Sequence, residues 1–174
     1  MDLHEMFLAR RSVRKYKKEH ISGEDLQQIL EAGVSSPTSR GTREWEFILV
    51  QTRDTLDKLA DCRKHGSSFL RQADCAVVVF GDETETDVWI EDCSIAMAYM
   101  HLMADQLGLG SCWIQGRNRE AADGRSTEDY VKELLGIPKI YRLEAILALG
   151  VPEEHPIARK AKDLPLDKVH LERW

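Results

Sequence analysis

The sequence predicts one layered domain of α/β type, with about five helices and four strands. Its 174 residues are enough for a single domain with a substantial core. The hydrophobic fraction of 43% and the charged fraction of 31% are ordinary for a globular protein and carry no signature of disorder. Short β-branched or aromatic segments alternate with segments of helical periodicity, and no repeat or linker separates them. One domain over residues 1–174 is therefore expected.

The first part of the chain predicts two helices and a loop. A helix is expected over residues 2–10, where apolar side chains recur at helical spacing and Asp2 suits the N-cap. A second helix begins near Ser22, because Ser22 and Asp25 suit a capping box before an apolar stripe. Residues 35–42, SSPTSRGT, combine proline, glycine and hydroxyl side chains, which is typical of a loop.

The remaining elements follow from the same periodicities. Runs of β-branched and aromatic residues predict strands at 45–51, 75–81, 110–116 and 143–150. Helical spacing and helix-end signals predict helices at 54–63, 86–108 and 127–136. The polar segment 117–127 is expected to be a loop.

Two segments predict an interface with another subunit. The longest apolar stretch, about residues 88–107, is interrupted by three acidic residues and a histidine, so it suits a core or interface helix better than a membrane span. The tail, residues 151–174, has three prolines and no clean periodicity, yet it contains scattered apolar residues and ends in Trp174. We therefore expect the tail to pack on a partner subunit.

Charge is unevenly distributed along the chain. The formal net charge is −6, yet residues 10–18, RRSVRKYKK, hold six basic residues in nine positions. An acidic protein with one local basic segment is a poor candidate for binding a long polyanion. Arginine forks and a serine hydroxyl suit a small phosphate group, and the segment supplies them at Arg10, Arg11, Ser12 and Arg14. From charge alone, a solvated surface is favoured over this site, and nucleic-acid binding is a third interpretation.

Cysteine and histidine patterns exclude several kinds of site. The four cysteines have neither C-x-x-C nor zinc spacing, and the first residues lack a secretory pattern, so a cytoplasmic protein with reduced thiols is expected. Cys93 and Cys112 are expected to be small core residues, and His101 a hydrogen-bonded structural histidine. The sequence has no metal spacing, catalytic triad or phosphate-loop motif. An enzyme with this sequence would need a cofactor to carry its chemistry.

Four motifs, taken in order, make the sequence resemble a known family. RRSVRKY, SSPTSRGTREWEFILV, LGLGSCWIQ and LEAILALGVPEE are similar in order and spacing to segments of the nitroreductase family of FMN-dependent enzymes. The resemblance extends from about residue 6 to the end, and SFLRQADCAVVVFGD resembles the compact branch of NAD(P)H-dependent reductases. Each motif alone is weakly specific, whereas four in order are a strong signal.

The resemblance changes the expected fold and assembly. It implies an α+β fold in which a central, mainly antiparallel sheet is flanked by helices. It also implies an intertwined homodimer in which the C-terminal segment, about residues 151–174, is exchanged between subunits. FMN would then bind in two clefts at the dimer interface.

The resemblance also implies a set of cofactor-binding residues. Arg10, Arg11, Ser12 and Arg14 match the signature that holds the FMN phosphate and the polar edge of the flavin, which leaves Lys15, Lys17 and Lys18 as solvated surface. Pro37, Thr38, Ser39 and Arg40 match a loop that reaches the cofactor, in most members from the partner subunit. Trp113, Ile114 and Gln115 match the strand beside the isoalloxazine ring. Arg159 and Lys160 lie where many members place a basic phosphate ligand.

Two positions depart from the family pattern. Gly41 stands where many members have asparagine, which removes a side-chain amide from the predicted cofactor loop. Glu44 stands where many members have proline, and it is expected to loosen the turn before the strand at residue 45.

The implied activity is that of an FMN-dependent oxidoreductase with no obligatory catalytic side chain and no metal. Hydride would pass from NADH or NADPH through the flavin to an electron-poor small molecule, such as a nitroaromatic or a quinone. The loop 117–127 would border the substrate cleft because it follows the flavin-side strand. Two alternatives stay open: another flavin chemistry on the same fold (dehalogenation or flavin fragmentation), and a nucleic-acid-binding module that uses residues 10–18. In the favoured interpretation, neither nucleic acid nor a membrane is a partner.

Overall fold

Four antiparallel strands form the centre of the protein in the computed structural model, which describes residues 2–174. The strands are β1 (Trp45–Val50), β2 (Cys75–Asp82), β3 (Gly110–Gln115) and β4 (Tyr141–Gly150). Their spatial order is β1-β2-β4-β3, and each neighbouring pair is antiparallel. The fold is therefore α+β, as the family resemblance implies, and not the α/β arrangement that the alternation of elements favours.

Five α-helices cover the sheet. They are α1 (Leu3–Ala9), α2 (Gly23–Val34), α3 (Arg53–Leu59), α4 (Trp89–Gln106) and α5 (Thr127–Leu135). These bounds agree closely with the predicted ones, except that α3 ends at Leu59 and not at residue 63. Short 3-10 turns at Ser39–Gly41, Ser68–Arg71, Ala161–Asp163 and Leu166–Lys168 have no counterpart in the prediction, because three- and four-residue turns produce no periodic pattern.

Side chains at the helix ends explain why the predicted boundaries are close. Asp2 accepts a hydrogen bond from the N–H of Glu5, whose side chain bonds back to the N–H of Asp2, a complete capping box for α1. Ser22 accepts from the N–H of Asp25 at the start of α2. Gly136 ends α5 in the left-handed conformation, at φ 69°, which glycine adopts without strain.

Each face of the sheet has its own layer of helices and its own apolar core. On one face, α2 and α4 contribute Ile29, Met97 and Met100, which pack against alternate residues of β2 and β4. On the other face, α3 and α5 contribute Leu56, Leu59 and Val131, which pack against the intervening residues of the same strands. β2 and β4 are buried on both faces, which explains their continuous apolar sequences.

The segment between α1 and α2 lies along the sheet at β3 and the end of β4. Ser12 forms a parallel bridge with Ser111, and Tyr16 an antiparallel bridge with Pro152. The chains approach so closely that a Cβ atom placed on Gly150 would lie 2.6 Å from Cδ1 of Tyr16. This packing places the basic segment beside the sheet. None of the helices within residues 2–174 has the length and apolar character needed to cross a membrane.

Candidate functional site

The basic segment is held against the first residues of β3. The N–H of Val13 donates to the carbonyl of Ser111 at 2.9 Å, and the N–H of Lys17 donates to the carbonyl of Val151 at 2.8 Å. These backbone bonds fix the segment's orientation, with Val13 and Tyr16 buried and Arg14 exposed. The predicted residues Arg10, Arg11, Ser12 and Arg14 therefore flank the start of β3.

The beginning of the C-terminal tail returns to the same place. The N–H of Arg159 donates to the carbonyl of Leu8 at 2.9 Å, and its guanidinium donates to the carbonyl of Arg10 at 3.0 Å. Arg11 donates in turn to the carbonyl of Ile157 at 2.7 Å. Arg159 thus joins the predicted phosphate-binding residues, whereas the Lys160 side chain, exposed as well, makes no hydrogen bond within residues 2–174. Residues 157–159 are thus hydrogen-bonded to residues 8–11 of their own chain.

The four arginines of this group, Arg10, Arg11, Arg14 and Arg159, have no carboxylate partner. Within residues 2–174, no Asp or Glu oxygen lies within 4.0 Å of their guanidinium nitrogens. The Arg14 guanidinium lies 6.0 Å from the centroid of the Phe69 ring, a cation–π distance. Guanidinium groups that lack a carboxylate partner keep N–H donors available to bind phosphate bidentately. Lys15, Lys17 and Lys18 point into solvent, and Lys17 lies 3.7 Å from Glu19.

A buried histidine, His101, is hydrogen-bonded to the strand residue that pairs with the basic segment. The His101 Nδ1 atom is hydrogen-bonded to the hydroxyl of Ser111 at 2.8 Å, and the ring is 7% exposed. Burial lowers the pKa of His101 to about 4, with a smaller contribution from the positive charge of Arg10. His101 is therefore neutral at pH 7 and holds the residue that bridges to Ser12. The prediction of a hydrogen-bonded structural histidine is confirmed.

The three predicted residues of β3 differ in exposure. Ile114 is completely buried, so only its backbone can meet a ligand. Trp113 and Gln115 are half-buried, and the indole N–H donates to the Gln115 amide oxygen at 2.9 Å. The N–H groups of the next two residues, Gly116 and Arg117, donate to the carbonyl of Glu144 at 3.1 and 3.0 Å. The end of β3 is therefore rigidly placed.

The predicted cofactor loop lies away from the arginine group. Thr38, Ser39 and Arg40 begin the turn before β1, where the N–H of Ser39 donates to the carboxylate of Asp92 at 2.9 Å. Asp92 belongs to the first turn of α4, whereas Ser111, the residue that bridges to Ser12, is bonded to His101, nine residues further along that helix. At a rise of 1.5 Å per residue, these points are about 14 Å apart. One chain therefore does not bring Pro37–Arg40 together with Arg10–Arg14.

The sequence did not predict the burial of three carboxyl groups near Cys93, those of Glu44, Asp92 and Glu144. Burial raises the pKa of the Cys93 thiol far above its usual range, and these three acids raise it further. Burial also raises the pKa of Glu144. The expected burial of Cys93 and Cys112 is confirmed. The acids stand in segments with other charged residues, so the sequence pattern carries no signal of their burial.

Glu44 corrects one prediction directly. Its carboxylate accepts a hydrogen bond from the hydroxyl of Thr42 at 2.6 Å, and its carbonyl accepts from the N–H of Asp82 at 3.0 Å. Its side chain is buried. Glu44 therefore ties the turn to β1 and β2, and does not loosen it.

An apolar groove of about 690 Å³ lies between α1, α2 and α4. Its apolar lining comes from side chains on α1 and α4: Leu3, Met6, Phe7, Tyr99, Leu102 and Met103. Several of these are unusually exposed for large apolar side chains, Leu3 at 62% and Phe7 at 49%. Further along the chain, Leu171 is 87% exposed and Trp174 fully exposed.

Comparison with known proteins places this geometry in context. The model of the Nitroreductase family matches residues 8–65 and 60–151. A protein of Archaeoglobus fulgidus, provisionally named an NADH dehydrogenase/NAD(P)H nitroreductase, is 33% identical over an alignment of 174 positions that covers 97% of each chain. The structure of an FMN-dependent nitroreductase from Clostridium difficile R20291 is 42% identical, with a TM-score of 0.96, over 99% of this chain and 100% of that one. A provisionally assigned nitroreductase of Desulfovibrio desulfuricans, solved in complex with FMN, is 25% identical, with a TM-score of 0.78, over 99% and 97%.

Proposed function

The chain belongs to the nitroreductase family, and on that premise we propose that it reduces electron-poor small molecules such as nitroaromatics or quinones. It is an oxidoreductase that uses FMN, with NADH or NADPH as the hydride donor. The observation that carries this proposal is the group of four arginines without carboxylate partners beside β3. Names of relatives in several bacteria point the same way, including an NADPH-flavin oxidoreductase of Vibrio harveyi that is 28% identical.

The residues present fit FMN. Arg10, Arg11, Ser12 and Arg159 would hold the phosphate, because a dianion requires several donors that no carboxylate already occupies. Arg14, placed over Phe69, would hold the polar edge of the ring system and favour negative charge there. When bound, FMN would supply the chemistry of accepting and releasing hydride. The chain's own part is to bind, orient and shield, and no acid or base side chain is assigned a proton transfer.

β3 would fix the position of the ring system. Ile114 is locked in the core, and the Trp113–Gln115 hydrogen bond restricts both half-buried side chains. The loop 117–127 follows directly and is tied to the segment after α3: the N–H of Lys64 donates to the carbonyl of Glu120 at 2.9 Å. This loop would border the substrate cleft, and because Arg119 has no carboxylate partner among residues 2–174, it would be available to a substrate.

We propose that the active form is a homodimer in which a second copy completes each site. The loop Pro37–Arg40 and the arginine group lie at different ends of α4 within one chain. An antiparallel arrangement of two α4 helices would bring the loop of one copy to the arginine group of the other. The exposed apolar residues of α1 and α4 support this arrangement, and the tail beyond residue 160 would cover the partner's groove.

The absorbance spectrum of the purified protein tests the proposed function. We expect a yellow protein with a flavin spectrum, about one FMN per chain, and bleaching on addition of NADH or NADPH without oxygen. Turnover with nitrofurazone, quinones and halophenols would then identify the acceptor class and separate reduction from dehalogenation. Protein that stays colourless after incubation with FMN would contradict the proposal.

A further inference from the structure

The loop from Ser36 to Glu44 has an unusual backbone. Arg40 and Arg43 have φ angles of 54° and 55°, and Gly41 lies between them at 71°. A left-handed conformation costs a non-glycine residue about 1 kcal/mol or more, so two of them persist only where surrounding contacts hold them. The contacts of this loop therefore determine where its side chains point.

Most of those contacts are internal to the loop. The N–H of Gly41 donates to the carbonyl of Thr38 at 3.2 Å, and the N–H of Arg43 donates to the hydroxyl of Thr38 at 3.1 Å. The hydroxyl of Thr42 lies 2.9 Å from the carbonyl of Ser39 and 2.6 Å from the carboxylate of Glu44. These bonds define the shape of the loop, and through Glu44 they attach its C-terminal end to β2.

At the two ends of the loop, the N–H of Ser36 donates to the carbonyl of Gly33 at 3.2 Å and the carbonyl of Glu44 accepts from the N–H of Asp82 at 3.0 Å. A single hydrogen bond connects the residues between these ends to the helical layer. In the part of the chain that the structure describes, the Ser39 N–H to Asp92 Oδ2 bond of 2.9 Å is the only one between residues 37–43 and any residue outside 38–44. Asp92 is 4% exposed and lies in the first turn of α4, where the free N–H groups favour its negative charge. Its carboxylate is therefore buried and points at the Ser39 N–H, so it can hold the loop in one position.

We propose that Asp92 is the positioning residue of the cofactor loop. By accepting the N–H of Ser39, it fixes Thr38–Arg40 at the N-terminal end of α4, so that the loop is already in place to meet the flavin of the partner subunit. Arg40 is exposed and has no carboxylate partner among residues 2–174, which leaves its guanidinium free for that contact. This role rests on the proposed function, and it concerns a residue that makes no contact with the cofactor itself.

Two substitutions at Asp92 separate positioning from a purely structural role. Asp92→Ala removes the acceptor, and Asp92→Asn keeps an oxygen that can accept the Ser39 N–H. In the FMN-loaded dimer we expect Asp92→Ala to raise the FMN dissociation constant about tenfold and to change the visible circular dichroism of the bound flavin. Asp92→Asn should remain within about threefold of wild type. Glu91→Ala is the matched control, because it removes an exposed carboxylate from the same turn.

Ser39→Pro provides a second route to the same bond. Proline removes the N–H together with the Ser39 hydroxyl, which makes no hydrogen bond within residues 2–174, and Thr38 already has the extended backbone (φ −129°, ψ 157°) that precedes proline. If both substitutions act through one bond, their effects on FMN affinity will not add in the double variant. This variant keeps the proposal testable if Asp92→Ala fails to fold.

Each outcome has a distinct meaning. If Asp92→Ala lowers the melting temperature but leaves FMN affinity and circular dichroism as in wild type, the positioning role is wrong and the proposed function stands. The same conclusion follows if Asp92→Asn binds FMN as weakly as Asp92→Ala does. It also follows if the losses of FMN affinity in Ser39→Pro and Asp92→Ala add fully in the double variant. Wild-type protein that binds no FMN would overturn the proposed function and this role together.

Discussion

His101 illustrates how burial determines the charge of a single residue. It lies between α4 and β3, hydrogen-bonded to Ser111, and burial lowers its pKa to about 4. Its neutral ring adds no positive charge beside Arg10, so the positive charge of the candidate phosphate site comes from the arginines. The apolar positions around it on α4 allowed its burial, though not its partner, to be predicted from the sequence.

The stability of the protein should depend on His101 at mildly acidic pH. The folded pKa is lower than the unfolded value of about 6.5, so protonation favours the unfolded chain. The contribution of neutral His101 to the free energy of unfolding is fully present above pH 6.5. It is lost as the pH falls towards 4, by about 3 kcal/mol in all. We expect His101→Gln, which can still bond to Ser111, to flatten the dependence of unfolding free energy on pH between 6.5 and 4. A urea titration at each pH measures this, and parallel curves for both proteins would contradict it.

Arg14 should contribute directly to FMN affinity. It is exposed, stacked over Phe69 and free of carboxylate partners in the described chain. We expect Arg14→Ala to weaken FMN binding by roughly 1.5–3 kcal/mol, the range for a lost bond to a charged group. Lys18→Ala, which removes an exposed charge from the same segment, should leave the affinity unchanged. Flavin fluorescence titration gives both constants, and equal losses in the two variants would indicate only a general effect of charge.

Among the elements, the contact between the basic segment and the end of β4 depends on the absence of side chains. Gly150 faces Tyr16, and Gly110 faces Val13, where a Cβ atom would lie 2.7 Å from Cγ1. Both contacts hold the segment that carries Arg10–Arg14 close to the sheet. The sequence contains these glycines, but only the pairing of residues 12–17 with Ser111 and Val151 shows why they are needed.

Gly150→Ala should displace the basic segment. The new Cβ would lie 2.6 Å from Cδ1 of Tyr16, an aromatic ring buried in the core that has little room to move. We expect a loss of about 1–3 kcal/mol in unfolding free energy, as for other overpacked sites, together with weaker FMN binding. Gly23→Ala is the control, because nothing lies within 4 Å of its added methyl group. Equal denaturation midpoints for Gly150→Ala and wild type would show that the segment adapts without cost.

For the whole molecule, the surface that one chain leaves exposed matches what a second chain could cover. The groove between α1, α2 and α4 is apolar, and the tail beyond residue 160 presents exposed apolar side chains, Leu166, Val169, Leu171 and Trp174. Residues 157–159, in contrast, are bound to residues 8–11 of their own chain. The proposed exchange of about residues 151–174 therefore centres on the tail beyond residue 160, which carries these exposed apolar side chains.

Truncation after Lys160 tests the proposed homodimer. It keeps Arg159 and its bonds to Leu8 and Arg10, so that the arginine group is preserved. We expect wild-type protein to have about twice the 19.9 kDa mass of one chain. The truncated protein should dissociate into monomers at a higher protein concentration than wild type does, and it should bind FMN more weakly. Light scattering with flavin titration measures both. Leu166→Asp should act in the same direction, and Lys168→Ala in the same turn should not. If the truncated protein has the same oligomeric state and the same FMN affinity as wild type, this role for the tail is excluded.

The sequence by itself determined the elements and the family of this protein. Periodicity and end signals depend on residues within one or two turns of each other, so the helices and strands were predictable from local patterns, and four ordered motifs identified the nitroreductase family. The family resemblance placed Arg159 among the phosphate ligands, but tertiary structure alone decided that it bonds to the carbonyl of Arg10, that Glu44 is buried and tightens its turn, and that Asp92 holds Ser39. These pairs are separated by 149, two and 53 residues. Even the Thr42–Glu44 pair, the closest in sequence, depends on the burial of Glu44 beside β2. The partner of a polar group follows from how the layers pack and not from its neighbours in the chain.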